Sequence, residues 1–168
     1  MHSPIRALVL CLAALLLVSA ASAQKPPNPV AGFMVSGGLA TLSGEGGTTW
    51  YPQLHVAGTS RSGWGGDLGF GVSFGDETGL VIDASATKVF ASTDSRVGVM
   101  VLLGPSLISE GQGDQSFGIS GGAALLVRLA RHVGIRLDVT PRIYFSGADG
   151  SHPGIVVALS LTSLPGGK

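Results

Sequence analysis

The side chains of this 168-residue chain that could do chemistry are mainly carboxylates and guanidinium groups set among apolar residues. Strict alternation places such charged residues on one side of an extended strand and their apolar neighbours on the other. The residues with this placement are Asp67, Asp83, Arg128, Arg136, Asp138 and Arg142. An isolated buried charge is costly, whereas a hydrogen-bonded pair is tolerated. We therefore expect these six residues to form a network of ion pairs in a closed interior.

The other reactive residue types lack catalytic or ligating spacing. His55, His132 and His152 are too far apart in the sequence for a typical metal motif, so we interpret them as ordinary polar residues. The glycine-rich residues 63–71 lack the Gly-Lys-Ser/Thr ending of a phosphate-binding loop, and Ser120 lies in a predicted strand instead of a strand-to-helix turn. The sequence predicts no catalytic residue, no metal site, no cofactor and no enzyme activity.

The first 23 residues have the pattern of an export signal. His2 and Arg6 precede an apolar run at 7–20, and small residues at 21–23 form a cleavage site. A run of roughly 14 apolar residues is short for a helix that crosses a bilayer. We expect cleavage after Ala23, which also removes the single cysteine, Cys11. The mature protein would then have no thiol for a disulfide or a metal.

The composition excludes several classes of protein. Only 12% of the residues are charged, about half the usual share for a soluble domain, and 27 are glycine. The formal net charge is zero, so the chain lacks the excess positive charge that attracts nucleic acid. No later segment has about 18 continuous apolar residues, which argues against a helical membrane span. The mature length fits one domain.

Eight segments with alternating apolar residues follow the signal and must position the charged groups. They are predicted as strands at 31–42, 49–57, 63–74, 79–90, 96–107, 116–130, 133–146 and 154–162. Each is long enough to cross the hydrocarbon layer as a tilted strand. Within these rows, Lys88 is the only cation on the apolar face, and it lies near the end of its strand. One apolar and one polar face per strand are typical of a transmembrane β-barrel.

The connections between the predicted strands alternate in charge. The first, third, fifth and seventh contain no Lys or Arg and carry the carboxylates Glu45, Asp76, Glu77, Glu110, Asp114 and Asp149. The even connections hold Arg61, Asp94 and Arg131. If the amino terminus of the barrel starts on the periplasmic side, the acidic connections are extracellular and the even connections are periplasmic.

Aromatic residues concentrate near the predicted strand ends. These residues are Phe33, Trp50, Trp64, Phe74, Phe90, Phe117 and Phe145. Amphipathic rings prefer the headgroup level of a bilayer, so we expect them to form two interfacial girdles.

The predicted architecture is an all-β, eight-stranded, antiparallel, up-and-down transmembrane β-barrel. The predicted organisation is a signal peptide at 1–23, a proline-rich periplasmic tether at 24–30, the barrel at 31–163 and a C-terminal tail at 164–168. Eight strands leave an interior only just wide enough for side chains. We therefore expect a plugged lumen and not an open pore.

The stretch SFGISGGAALLVRLARHVGIRLDVTPRIYF, residues 116–145, resembles the penultimate hairpin of small outer-membrane barrels of the OmpA/OmpX type. In that family a glycine-rich strand runs to a short periplasmic turn, and a strand with alternating Arg and Asp returns. The resemblance implies an outer-membrane location among lipid and lipopolysaccharide, and it leaves room for an unidentified surface or periplasmic partner.

Three functions fit the sequence. The first is a non-enzymatic barrel with a structural or surface-interaction role in the cell envelope. The second is a lipid A-modifying barrel enzyme, which would need reactive groups at the outer rim, where His152 is the only base. The third is a soluble periplasmic barrel with an apolar ligand inside, which would need the apolar rows to face inward.

Overall fold

The computed structural model describes residues 30–44, 47–74, 78–91, 95–109, 115–146 and 150–165. The predicted signal peptide, most of the predicted tether and the last three residues of the predicted tail lie outside these ranges. So do the six carboxylates of the acidic connections and Asp94. In the ranges given, no helix has the length and apolar character needed to cross a bilayer.

Eight consecutive antiparallel strands form one closed sheet. They are β1 (Gly32–Gly44), β2 (Gly47–Thr59), β3 (Trp64–Phe74), β4 (Thr78–Phe90), β5 (Val97–Ser109), β6 (Gln115–Ala130), β7 (Val133–Ser146) and β8 (Gly150–Ser163). Pairing of β1 with β8, from Ser36 opposite Thr162 to Gly44 opposite Gly154, closes the barrel. The predicted eight-stranded, up-and-down barrel is confirmed.

The strand boundaries agree with the sequence except at β8. The predicted start of this strand was residue 154, whereas it begins at Gly150. The reason is cross-strand pairing, because His152 lies opposite Tyr144 and Pro153 opposite Ile143. The pairing with β7 extends the strand through residues that have a turn-like composition.

The apolar rows face outward on every strand. In β8, Leu159 and Leu161 are 58% and 64% exposed, whereas their neighbours Ala158 and Ser160 are each 2% exposed. A soluble barrel that holds an apolar ligand requires the reverse arrangement. The outer surface is therefore an apolar belt, which is stable against lipid and not against water.

The interior is layered, and it is more apolar than the alternation alone predicts. We call the end where β1 begins and β8 ends the lower end of the barrel, and the opposite end the upper end. A lower cluster of buried side chains contains Val30, Met34, Ala57, Val89, Ala91, Met100, Leu102, Ala124, Leu126 and Leu164. An upper cluster contains Ala40, Tyr51, Val81, Ile108, Tyr144, Val156 and Ala158. The charged residues lie between these two clusters.

Residues that flank the strands close the lower end. Val30 is buried in the lower cluster, and its N–H donates to the carbonyl of Ala91 at 3.2 Å. Leu164 is also buried there, and its N–H donates to the carbonyl of His132 at 2.9 Å. Val30 is the last residue of the predicted tether and Leu164 is the first residue of the predicted tail, so the packed interior includes both of these residues.

Candidate functional site in the barrel interior

Arg136 is the centre of the first ion-pair group. Its side chain is 1% exposed and reaches two carboxylates. Its Nη2 lies 2.6 Å from Asp67 Oδ2 and 2.8 Å from Asp138 Oδ1, and its Nε donates to Asp138 Oδ1 at 2.9 Å. Asp138 comes from the same strand at i+2, which alternation places on the same inner face, while Asp67 comes from β3 on another wall. The group therefore links β3 to β7 across the lumen.

His55 also belongs to this group, although its spacing from the other histidines predicts only an ordinary polar residue. Its Nδ1 lies 3.2 Å from Asp67 Oδ2, and the side chain is buried. Gly69 faces His55 across the β2–β3 ladder, and a Cβ at that position would lie 2.6 Å from the imidazole Cε1. A signal for this contact was present in the sequence, because an inward histidine and an inward glycine on adjacent strands indicate a large group beside a gap.

The second ion-pair group lies on the upper side. Arg142 Nη2 donates to Asp83 Oδ2 at 2.8 Å, and its Nη1 donates to the Tyr144 hydroxyl at 3.2 Å. Tyr51 completes the upper wall, where Gly71 leaves room for its ring, since a Cβ on Gly71 would lie 2.5 Å from Tyr51 Cδ2. This group joins β4 to β7 and connects the charged layer to the upper apolar cluster.

The structure corrects the prediction for Arg128. Its Nη1 donates to the carbonyl of Arg131 at 2.7 Å, in the turn at the lower end, and the structure gives it no ion pair with the other five residues. Arg128 lies near the lower end of β6, next to a register shift between residues 128 and 130, and therefore away from the charged layer. Charge and parity alone do not give the height of a side chain along the barrel axis.

The charged layer leaves little space in the lumen. A cavity of about 20 Å³ is lined by residues of both groups, among them His55, Asp67, Asp83, Arg136 and Arg142. That volume holds roughly one water molecule. Three buried polar atoms have no hydrogen-bond partner within the protein: Asp67 Oδ1, Asp83 Oδ1 and Arg136 Nη1. Each has the capacity to form a hydrogen bond with a water molecule. At this height the described side chains therefore fill most of the lumen.

The predicted interfacial aromatic residues lie on the outer surface near the two ends. Trp50, Phe74, Phe117 and Phe145 are at upper strand ends, while Phe33, Trp64 and Phe90 are at lower strand ends. Lys88 extends among the lower set. Its Nζ lies 4.9 Å from the Trp64 ring centre and 5.9 Å from that of Phe90, and it donates to the Ser62 carbonyl at 2.6 Å.

No group of three or more His, Cys, Asp or Glu side chains is arranged to hold a metal ion in the part of the chain that the structure describes.

A closed eight-stranded sheet with an apolar outer belt and a filled interior defines a small β-barrel of the outer-membrane type. No family model and no curated protein sequence matches the chain. Solved structures do match it. Neisserial surface protein A is 15% identical, with 80% of this chain and 97% of that chain covered and a TM-score of 0.55.

Two further structures have a similar match. The outer membrane protein OprG from Pseudomonas aeruginosa is 14% identical, with 84% and 97% of the two chains covered and a TM-score of 0.53. The attachment invasion locus protein Ail of Yersinia pestis, solved with the heparin analogue sucrose octasulfate, is 16% identical, with 79% and 96% covered and a TM-score of 0.52. The chain therefore has the fold of small outer-membrane barrels, and this fold supports the predicted location.

Proposed function

We propose that this protein is a non-catalytic barrel of the outer membrane whose plugged lumen conducts no solute, and that it has a structural or surface-interaction role in the cell envelope. The observation that carries this proposal is the charged layer between the two apolar clusters. Arg136, Arg142 and three carboxylates cross the lumen at mid-height, and the remaining space there is about 20 Å³.

The outer belt supports the membrane location. Its exposed leucine, valine, isoleucine and phenylalanine side chains occur on all eight strands. Backbone groups in hydrocarbon must all be paired, and a closed barrel is the only sheet that meets this condition. We further propose export through the predicted signal at 1–23, so that the mature protein begins at Gln24.

The partners proposed here are outer-membrane lipid and lipopolysaccharide. The sulfated heparin analogue belongs to the Yersinia protein, and its chemistry does not transfer readily. The connections at the upper end of this chain carry six carboxylates and no Lys or Arg, so a polyanion would be repelled there. A protein partner at the surface or in the periplasm would have to tolerate this acidic end.

Cell fractionation tests the location. We expect the mature protein to sediment with the outer membrane, to require detergent for extraction and to change its gel mobility on heating. N-terminal sequencing should begin at Gln24. Recovery in the soluble periplasmic fraction would refute the membrane proposal.

Planar bilayer recording tests the plug, with the purified, folded protein showing no discrete conductance steps. A steady single-channel current would contradict the plugged lumen while leaving the membrane location intact.

Mass analysis of lipid A from a deletion strain and its parent tests the non-catalytic role, and the two spectra should be identical. A modification that is lost with the gene would favour the enzyme alternative.

A further inference from the structure

The lower end of the barrel carries a ring of cations that the ion-pair layer does not use. We call Arg61, Lys88, Arg96, Arg128 and Arg131 the basic rim. Arg61, Arg96 and Arg131 are exposed, and all five lie in or next to the three lower turns. In the described part of the lower end no Asp or Glu accompanies them, and the sequence of the three turns adds only Asp94.

Backbone contacts hold the basic rim together. The N–H of Arg128 donates to the carbonyl of Arg96 at 2.7 Å, which joins the lower end of β6 to the residue that precedes β5. The N–H of Val89 donates to the carbonyl of Gly63 at 2.8 Å, which fixes the first turn against the end of β4. The cations are therefore set on an ordered surface and not on independent loops.

Lys88 locates the rim at the edge of the apolar belt. Its position in β4 points outward, but its ammonium group reaches down to the Ser62 carbonyl and lies over the Trp64 ring. This is the geometry of a lysine whose stem covers apolar surface while its charge stays at the water boundary. The phosphates of a bilayer lie at that same level, next to the aromatic residues.

We propose that the basic rim binds the headgroups of anionic phospholipids, with phosphatidylglycerol as the model ligand. This inference rests on the proposed membrane location. Arginine and lysine bind phosphate through charge-assisted hydrogen bonds, and cations beside an anionic leaflet attract its lipids. The acidic connections at the upper end lack this chemistry, so the lipid preference belongs to one end of the barrel.

The two tryptophans of the chain make this preference measurable, because Trp64 lies at the lower end and Trp50 at the upper end. The variants Trp50→Phe and Trp64→Phe each leave one fluorophore. Each variant is reconstituted in phosphatidylcholine vesicles with a minor share of brominated phosphatidylglycerol, or the same share of brominated phosphatidylcholine. The measured quantity is the ratio of fluorescence quenching by the two brominated lipids.

We expect a ratio of about two or more at Trp64, since each cation near the surface favours anionic lipid roughly fivefold. The ratio at Trp50 should be one or lower. In the Trp50→Phe background, the replacements K88Q, R61Q and R96Q together should bring the Trp64 ratio to one. The matched control E110Q, D114N and D149N removes three charges from the upper connections and should leave it unchanged.

Equal ratios at the two tryptophans, or an unchanged Trp64 ratio after the three rim replacements, would overturn the inference. In both cases quenching by brominated phosphatidylcholine would still show insertion, so the proposed membrane location would stand. Absence of quenching by either lipid would instead refute that location. The gel mobility of unheated samples verifies that each variant is folded.

Discussion

At the residue scale, the charges of the lumen depend on each other. The Arg136 side chain is 1% exposed and contacts two carboxylates, so its charge is stabilised mainly by these ion pairs. A buried ion pair often contributes little to stability compared with apolar residues of the same volume. Removal of one partner is nevertheless costly, because it leaves the other charge buried and unpaired. The charged layer is therefore sensitive to single substitutions.

Asp67→Asn should lower the free energy of unfolding by about 3 to 5 kcal/mol, because Arg136 and His55 both lose their partner on β3. Urea unfolding in lipid vesicles measures the change. Arg136→Gln and the double variant complete a thermodynamic cycle, in which the two losses should be strongly non-additive. Simple additivity would show that the 2.6 Å contact contributes no coupling.

Gly69→Ala should destabilise the barrel by about 1 to 3 kcal/mol, because the new methyl group overlaps the His55 ring. The control is Gly37→Ala, where the nearest atom is Leu54 Cδ1 at 4.0 Å, and we expect little change. In the His55→Ala background, Gly69→Ala should cost much less. An equal cost in both backgrounds would attribute the effect to the backbone and not to the imidazole.

At the scale of the element, alternation made the strands predictable. A side-chain period of two gives the inner and outer faces, and a slip of one residue would expose every charge to lipid. The boundaries of the seven strands before β8 were therefore predicted to within about two residues. The start of β8 was not, because Pro153 owes its strand conformation to the opposite Ile143 and not to its own preference.

Leu159→Arg and Leu129→Arg compare two leucines of equal exposure, 58% each, at different depths of the belt. Leu159 lies mid-strand, so arginine there should cost about 2 to 4 kcal/mol, whereas near the strand end at Leu129 it should cost about 0 to 1 kcal/mol. Unfolding in lipid vesicles again gives the values. Equal costs would show that the belt is not embedded as described.

Alternation gives the face of a side chain only, so parts of the candidate site could not be predicted from the sequence. Parity predicts an inward direction for Asp67, Asp83, Arg136, Asp138 and Arg142, but it does not predict the height of a side chain, which depends on the stagger of the strands. Arg128 lies at the lower turn because it is near the end of β6, next to a register shift. The burial of Val30 and Leu164 was also unpredictable, because it depends on the lower cluster that forms only when the barrel closes.

At the scale of the whole molecule, charge is sorted along the axis. The lower end holds the basic rim, the centre holds paired charges and the upper connections are acidic in sequence. Two sets of aromatic residues mark the edges of the belt between these ends. The distribution of charge therefore distinguishes the two ends of the barrel, which the apolar belt alone does not.

Depth-dependent quenching tests the width of the belt. Trp50 and Trp64 should be quenched best by lipids brominated near the headgroup, because both lie near strand ends. A Phe70→Trp variant that lacks the two native tryptophans should be quenched best by lipids brominated near the chain ends, since Phe70 is mid-strand and faces outward. The same depth at all three positions would contradict a transmembrane arrangement.

The β1–β8 seam has a consequence for biogenesis. It pairs nine residues from one extremity of the barrel with nine from the other, so its hydrogen bonds have the largest sequence separation in the sheet. A chain that ended before β8 would have two unpaired sheet edges. The hydrocarbon of a bilayer offers no hydrogen-bond partner for the N–H and C=O groups of these edges. We therefore expect insertion into the bilayer and closure of the barrel to be coupled, so that a chain without β8 should not insert stably.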